Sequence, residues 1–249
     1  MQLVIGNKNY SSWSMRPWVL MKQLGIAFEE VKLRFDFAPD SAFRQAVARH
    51  SPAGLVPVLI DDTGHAVWDS LAIAETLAEL HPAVWPTSRP ARTRARSVAC
   101  EMHSGFSALR SHCPMNIEAQ LPQVGARVWA EQAAVRSNVG RIEALIADAL
   151  QASGGPFLFG AFSAADAMYA PVCMRLASYA LPVSDTTRGY MQRIAAAPGV
   201  AAWIADALAE RDFLDFDEPY RQSRADSGNK SGNESRDESG GRSPGPSHA

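Results

Sequence analysis

Short apolar runs alternate with amphipathic stretches through the first eighty positions, and the pattern then turns wholly helical. Leu3-Val4-Ile5 reads as a strand, and Val19 to Leu24 as an amphipathic helix that stops at Gly25. The same reasoning predicts strands near 2–5, 28–33, 57–60 and 65–68, with helices near 13–24, 40–49 and 70–80. Strand, helix, strand, helix, hairpin and helix in that order describe a mixed sheet layered with helices. Residues 81–90 carry three prolines, which exclude a helix or central strand and mark a linker. From Ala91 to about Glu210, Val98, Met102, Phe106, Leu109 and Cys113 recur at helical spacing, as do Val135, Val139, Ile142, Leu145, Ile146 and Leu150. Two long helices are therefore expected, separated by a break from Pro114 to Pro122. Phe162-Ser163-Ala164-Ala165-Asp166 is a capping box with its staple residue, and Pro171 should kink the helix that follows.

The chain divides accordingly into 1–80, a linker at 81–90, a helical part at 91–221 and a tail at 222–249. The tail has seven serines spaced four apart, five glycines and no apolar residue larger than alanine. It buries too little to offset its ordering entropy, so it is expected to be disordered and dispensable. At 249 residues two domains are plausible. The formal net charge of −2 supplies no electrostatic reason for a nucleic-acid or anionic-membrane partner. No apolar stretch reaches the roughly 20 residues of a membrane-spanning helix, and the N-terminus lacks a basic signal-peptide start. Cys100, Cys113 and Cys173 lie far apart within helical apolar patterns, which favours buried reduced thiols in a cytoplasmic protein over disulfide or metal roles.

Candidate chemistry concentrates in Asn9-Tyr10-Ser11-Ser12-Trp13-Ser14-Met15-Arg16-Pro17-Trp18. Ser11, Ser12 and Ser14 are good helix caps, and Pro17 is tolerated only in a first turn. A helix N-terminus with free amides and a hydroxyl stabilises an anion such as a thiolate, phosphate or carboxylate. Downstream, Ser51-Pro-Ala-Gly-Leu-Val-Pro-Val-Leu-Ile60 leads through Asp61-Asp62-Thr63-Gly64 to a short strand and a second capped helix, Asp69-Ser70-Leu71-Ala72-Ile73. These segments resemble the glutathione S-transferase superfamily. The resemblance rests on Ser-Ser-x-Ser-x-Arg at 11–16, Val56-Pro57 opening the third strand, and Asp69-Ser70-x-Ala72-Ile73, which together span residues 2–80.

The resemblance implies a cytosolic transferase fold: a thioredoxin-like α/β N-terminal domain plus an all-α C-terminal domain, assembled as a homodimer. It implies glutathione as co-substrate, no metal, and conjugation of its thiolate to a small electrophile in detoxification. Glutathione-dependent cis–trans isomerisation, as in maleylacetoacetate isomerase, or a non-enzymatic partner-binding role are the alternatives. Ser11, placed as in the zeta-class segment, is the first choice for the hydroxyl that holds the thiolate, with Ser12 the runner-up. Tyr10 is one place early, and Arg16 is expected to pair structurally with a carboxylate. Val56-Pro57 implies a cis bond and backbone pairing with glutathione, while Ser70 and Asp69 suit its glutamyl carboxylate and ammonium. Leu55 stands where many relatives carry Lys or Gln, so His50, Lys8 or an arginine is expected to reach the glycyl carboxylate. Trp13 replaces the zeta-class cysteine. His103, Ser107, Arg110, Met115 and Asn116 are candidates for lining the electrophile pocket.

Overall fold

The computed structural model describes residues 1–226, so the serine-rich stretch from 227 onward lies outside the described residues. β1 (Gln2–Ile5) pairs in parallel with β2 (Glu29–Lys32) and antiparallel with β3 (Val58–Ile60), and β4 (Ala66–Val67) adds to β3. Leu3 stands opposite Leu59. These two and Ile5 join a core with Met15 and Leu20 of α1 (Ser12–Gln23) and with Ile73 and Leu77 of α3 (Ser70–Leu80). Phe43 and Val47 of α2 (Ala42–Ala48) form a second cluster with Tyr10, Phe35 and Leu214.

The helical part comprises α4 (Arg89–Ser104), α5 (Ser107–His112), α6 (Pro122–Glu131), α7 (Ala133–Ser153), α8 (Ala164–Ser178), α9 (Asp185–Ala196) and α10 (Pro198–Glu210). α1 packs against α8 and α10, so one continuous core runs from Leu3 to Trp203. α8 is the central helix: all of its residues except Ala177 are buried, as expected of a helix apolar all round. Its N-terminus carries the predicted capping box, with Asp166 accepting from the Ser163 N–H at 3.0 Å. Asp166 also accepts from the Leu158 N–H (3.0 Å) and the Tyr190 hydroxyl (3.1 Å), which ties three segments to one carboxylate. Pro171 lies within this helix. Among the described residues no helix is long and apolar enough to cross a membrane.

Four expectations are corrected. The linker holds a 3₁₀ turn at Pro82–Val84, and Pro90 sits in the first turn of α4, where a missing N–H costs nothing. The first long helix is two helices. Gly105 caps α4, a Cβ there would meet the Glu101 carbonyl at 2.5 Å, and Phe106 follows in the left-handed region (φ 56°). Cys100 is exposed on the solvent face of α4, whereas Cys113 and Cys173 are buried. Residues 222–226 are also not free tail. Past α10 Asp212 pairs with Arg34 just after β2 (2.8 Å), Glu218 meets Tyr10 in the loop before α1 (2.8 Å), and Arg224 then pairs with Glu118.

Candidate active site

The site begins where β1 turns into α1. Ser11 is the N-cap of α1: its Oγ accepts from the Ser14 N–H (3.3 Å) and donates to Ser14 Oγ (2.7 Å), which itself accepts from the Gly6 N–H (3.1 Å). Ser12 opens the helix, and its Oγ accepts from Arg175 Nη2 on α8 at 3.1 Å. Both serines are buried. Tyr10 is occupied elsewhere, since its hydroxyl donates to Glu218, and burial together with that carboxylate holds its pKa well above the ordinary value. The loop in front is clamped from two sides. Glu210 accepts from the Lys8 N–H (2.9 Å) and the Asn9 N–H (3.3 Å), while Asn9 Oδ1 accepts from the Glu118 N–H (2.8 Å).

α3 supplies the second edge. The Val56–Pro57 bond is cis, Pro57 is buried, and the ladder resumes at Val58. Asp69 caps α3 through Oδ1, which accepts from the Leu71 N–H (3.0 Å), and its Oδ2 lies 3.2 Å from His103 Nε2 on α4. The hydrogen bond from His103 lowers the Asp69 pKa most, against partial burial. Ser70, in the first turn of α3, accepts from Arg16 Nη1 at 3.4 Å. Trp13 forms the floor between these elements. His103 meets it edge-on at 5.1 Å, the Arg16 guanidinium lies 3.9 Å from its ring centroid, and that of Arg110 lies 5.8 Å away.

The structure thus brings together Ser70, Asp69 and His103 with Arg110, around Trp13 and Arg16. Ser107 is exposed at the start of α5. His50 sits half-buried just past α2, and its ring makes no hydrogen bond or ion pair among the described residues. Two pocket candidates lie elsewhere. Met115 is in the main core, and Asn116 is a packing node that donates to Glu218 (2.8 Å) and accepts from Asn9 Nδ2 (3.0 Å) and the Ala119 N–H (3.1 Å). Their loop folds inward to hold the α1 loop, which uses up the polar atoms that a cleft would need. Lys8 is likewise unable to reach a ligand carboxylate: its buried Nζ pairs with Glu30 (2.7 Å) and Asp206 (2.5 Å) against Trp18 and Trp203.

Arg16 departs from expectation most clearly, because it has no ion pair among the described residues. Burial and the neighbouring Arg175 and Arg110 pull its guanidinium down to about 9, and burial pulls Arg175 down to about 10. Sequence reasoning passed over Arg175 altogether. Its one signal was a lone cation inside the apolar run from Met168 to Leu176. Among the described residues no group of three or more His, Cys, Asp or Glu stands together to hold a metal ion.

The models of the glutathione S-transferase N-terminal domain and C-terminal domain match residues 10–80 and 117–219. No curated protein matches the chain. Among solved structures it is similar to a Burkholderia glutathione transferase homolog with bound glutathione, at 23% identity and TM-score 0.63, over 83% of this chain and 97% of that one. A beta-class transferase from Sphingomonas chungbukensis is 23% identical with TM-score 0.60, over 84% and 100%. A glutathione transferase from Phanerochaete chrysosporium, in complex with oxidised glutathione, is 17% identical with TM-score 0.61, over 84% and 96%.

Proposed function

The chain belongs to the glutathione S-transferase superfamily, and from that premise we propose that it joins the glutathione thiolate to a small electrophile. The thioredoxin-like part would hold glutathione. The Val56 backbone would pair with the cysteinyl unit like an added strand, Ser70 at the start of α3 would receive the glutamyl carboxylate, and Asp69 its ammonium. The thiol would then lie near the first turn of α1. Free thiols titrate near pH 8.5, so the site must favour the thiolate. A serine hydroxyl, the α1 dipole and the buried Arg16 and Arg175 charges all act in that direction. Sulfur attacks the electrophilic carbon, the S–C bond forms, the leaving group departs with its electron pair, and the thiol proton passes to solvent.

Either Ser11 or Ser12 donates to the sulfur. Ser11 would need its hydroxyl pair with Ser14 to reverse, so that Ser14 donates to it. The Ser12 oxygen already accepts from a guanidinium, which leaves its own proton free to donate. The observation that carries the proposal is the Arg16–Ser70 hydrogen bond, which joins the second turn of α1 to the first turn of α3. We further propose a serine-type, zeta-like enzyme of the reducing cytoplasm, active in detoxification as a homodimer. Retention on immobilised glutathione, followed by turnover of 1-chloro-2,4-dinitrobenzene, tests the reading. A protein that is neither retained nor active refutes it, and a monomer in sedimentation at micromolar concentration refutes the dimer.

A further inference from the structure

Three guanidiniums gather where α1, α5 and α8 meet, and none has an ion pair among the described residues. Arg16 makes one long hydrogen bond to Ser70 and lies on Trp13. Arg175 donates to the Cys113 carbonyl (2.6 Å) and to Ser12 Oγ (3.1 Å). Arg110 lies over the Trp13 ring, 5.8 Å from its centroid, and donates no side-chain hydrogen bond among the described residues. The Nε of each is buried without a hydrogen-bond partner. Arg16 and Arg175 are buried and Arg110 half-buried, whereas the other buried cations among the described residues are matched: Lys8 by Glu30 and Asp206, Arg221 by Glu218 and Glu118. Buried charges are ordinarily paired, so an unmatched cluster of this size points to an anion that arrives from outside.

Glutathione would bring its thiolate and, at Ser70 beside Arg16, its glutamyl carboxylate, which together balance two of the three cations. Asp69 acts on Arg16 only at a distance, without an ion pair between them. Asp217 acts on Arg175 from beyond ion-pair range. Arg110 is left over, and it is the most accessible of the three. It lies one turn after the exposed Ser107, so the two share a face of α5, and its guanidinium and the His103 ring both border Trp13. An arginine fork matches a carboxylate in shape as well as in charge. We propose that the electrophile carries a carboxylate, which Arg110 receives with Ser107 beside it while the apolar body of the electrophile lies on Trp13. This inference rests on the transferase reading of the same cleft.

The test compares 4-chloro-3-nitrobenzoate with neutral 1-chloro-2,4-dinitrobenzene as electrophiles, using the full chain. Arg110→Gln should lower kcat/KM for the benzoate roughly ten- to a hundredfold more than for the neutral compound, the range for a charge-assisted hydrogen bond. Arg110→Lys should recover part of that preference, and melting curves of both variants verify the fold. Calorimetry with unreactive 3-nitrobenzoate and nitrobenzene reads the pocket without turnover: wild type should prefer the benzoate, and Arg110→Gln should lose the preference. Equal losses for both electrophiles, or no preference in wild type, overturn the proposal. So does a rise in the KM for glutathione with the electrophile ratio intact, because the anion would then be glutathione's own carboxylate. Benzoate binding that depends on Arg110, in a protein that turns over neither electrophile, would sink the transferase reading and leave the carboxylate pocket standing.

Discussion

Replacing Glu218 by Gln removes one charge and almost no volume from the point where the C-terminal segment meets the loop before α1. Glu218 Oε1 accepts from Tyr10 (2.8 Å), Asn116 Nδ2 (2.8 Å) and Arg221 Nη2 (2.5 Å), and Oε2 accepts from Arg221 Nε (2.9 Å). An amide cannot serve all four donors. With its NH₂ on either side it points a donor at a donor, and Arg221, whose side chain is 2% exposed, is left with Glu118 at 3.4 Å. Removing one partner of a buried ion pair costs about 3–5 kcal/mol, and the remaining Glu118 places this case near 3 kcal/mol. For a chain of this size that lowers Tm by roughly 6–12 °C. Differential scanning calorimetry of wild type, Glu218→Gln and Glu118→Gln would read the effect, with Glu118→Gln losing distinctly less because Glu218 still holds Arg221. A Glu218→Gln protein melting within about 2 °C of wild type would refute the reasoning, since the carboxylate would then carry no net stabilisation.

Four further outcomes are expected. Alanine at the true thiolate donor should slow turnover about ten- to a hundredfold with little change in glutathione affinity, so Ser11→Ala and Ser12→Ala measured side by side decide between them. If neither matters, the serine mechanism fails. Ser70→Ala should raise the KM for glutathione about tenfold while sparing the saturated rate, and an unchanged KM would remove Ser70 from the site. Burial holds the Asp166 carboxyl up at about 6 despite its hydrogen bonds. The stabilisation from its proton is therefore full below the unfolded value near 3.9 and lost as pH rises through about 6. Urea midpoints from pH 4 to 7 should show the wild-type advantage over Asp166→Asn shrinking with rising pH; an advantage that grows would mean that the fold favours the carboxylate. Truncation after Arg221 should melt about 1–3 °C below truncation after Asp226, because it removes the Arg224–Glu118 pair, and equal melting would make that contact idle.

Much of this fold is local in origin and therefore legible along the chain. The Leu3-Val4-Ile5 run, the capped starts of α1, α3 and α8, and the prolines at Pro82, Pro90 and Pro122 act over a few residues, so their effects fall close to where the sequence places them. Gly105 was legible too, but a periodic run of apolar residues on both sides outweighed it. Those residues, from Val98 to Cys113, are all buried although the helix breaks between them, because burial depends on facing the core and not on helical continuity. The hydroxyl and acidic residues at Ser11, Ser12, Asp69 and Ser70 stood out for the same local reason: capping chemistry is written at fixed short offsets.

What tertiary structure alone decided is how distant polar residues are shared out. Met115 and Asn116 lie in a polar-looking loop that packing turns inward onto Asn9 and Glu218, and Lys8 is consumed by carboxylates on β2 and α10. Arg16, Arg110 and Arg175, up to 159 positions apart, meet only because α1 packs on α8 and the C-terminal part of α5 brings Arg110 beside Arg175 and Trp13. By itself, then, the sequence determined the elements of the first eighty residues, their caps and the family to which the chain belongs. Which charges find partners, and which do not, depends on contacts across more than a hundred residues that no local pattern encodes.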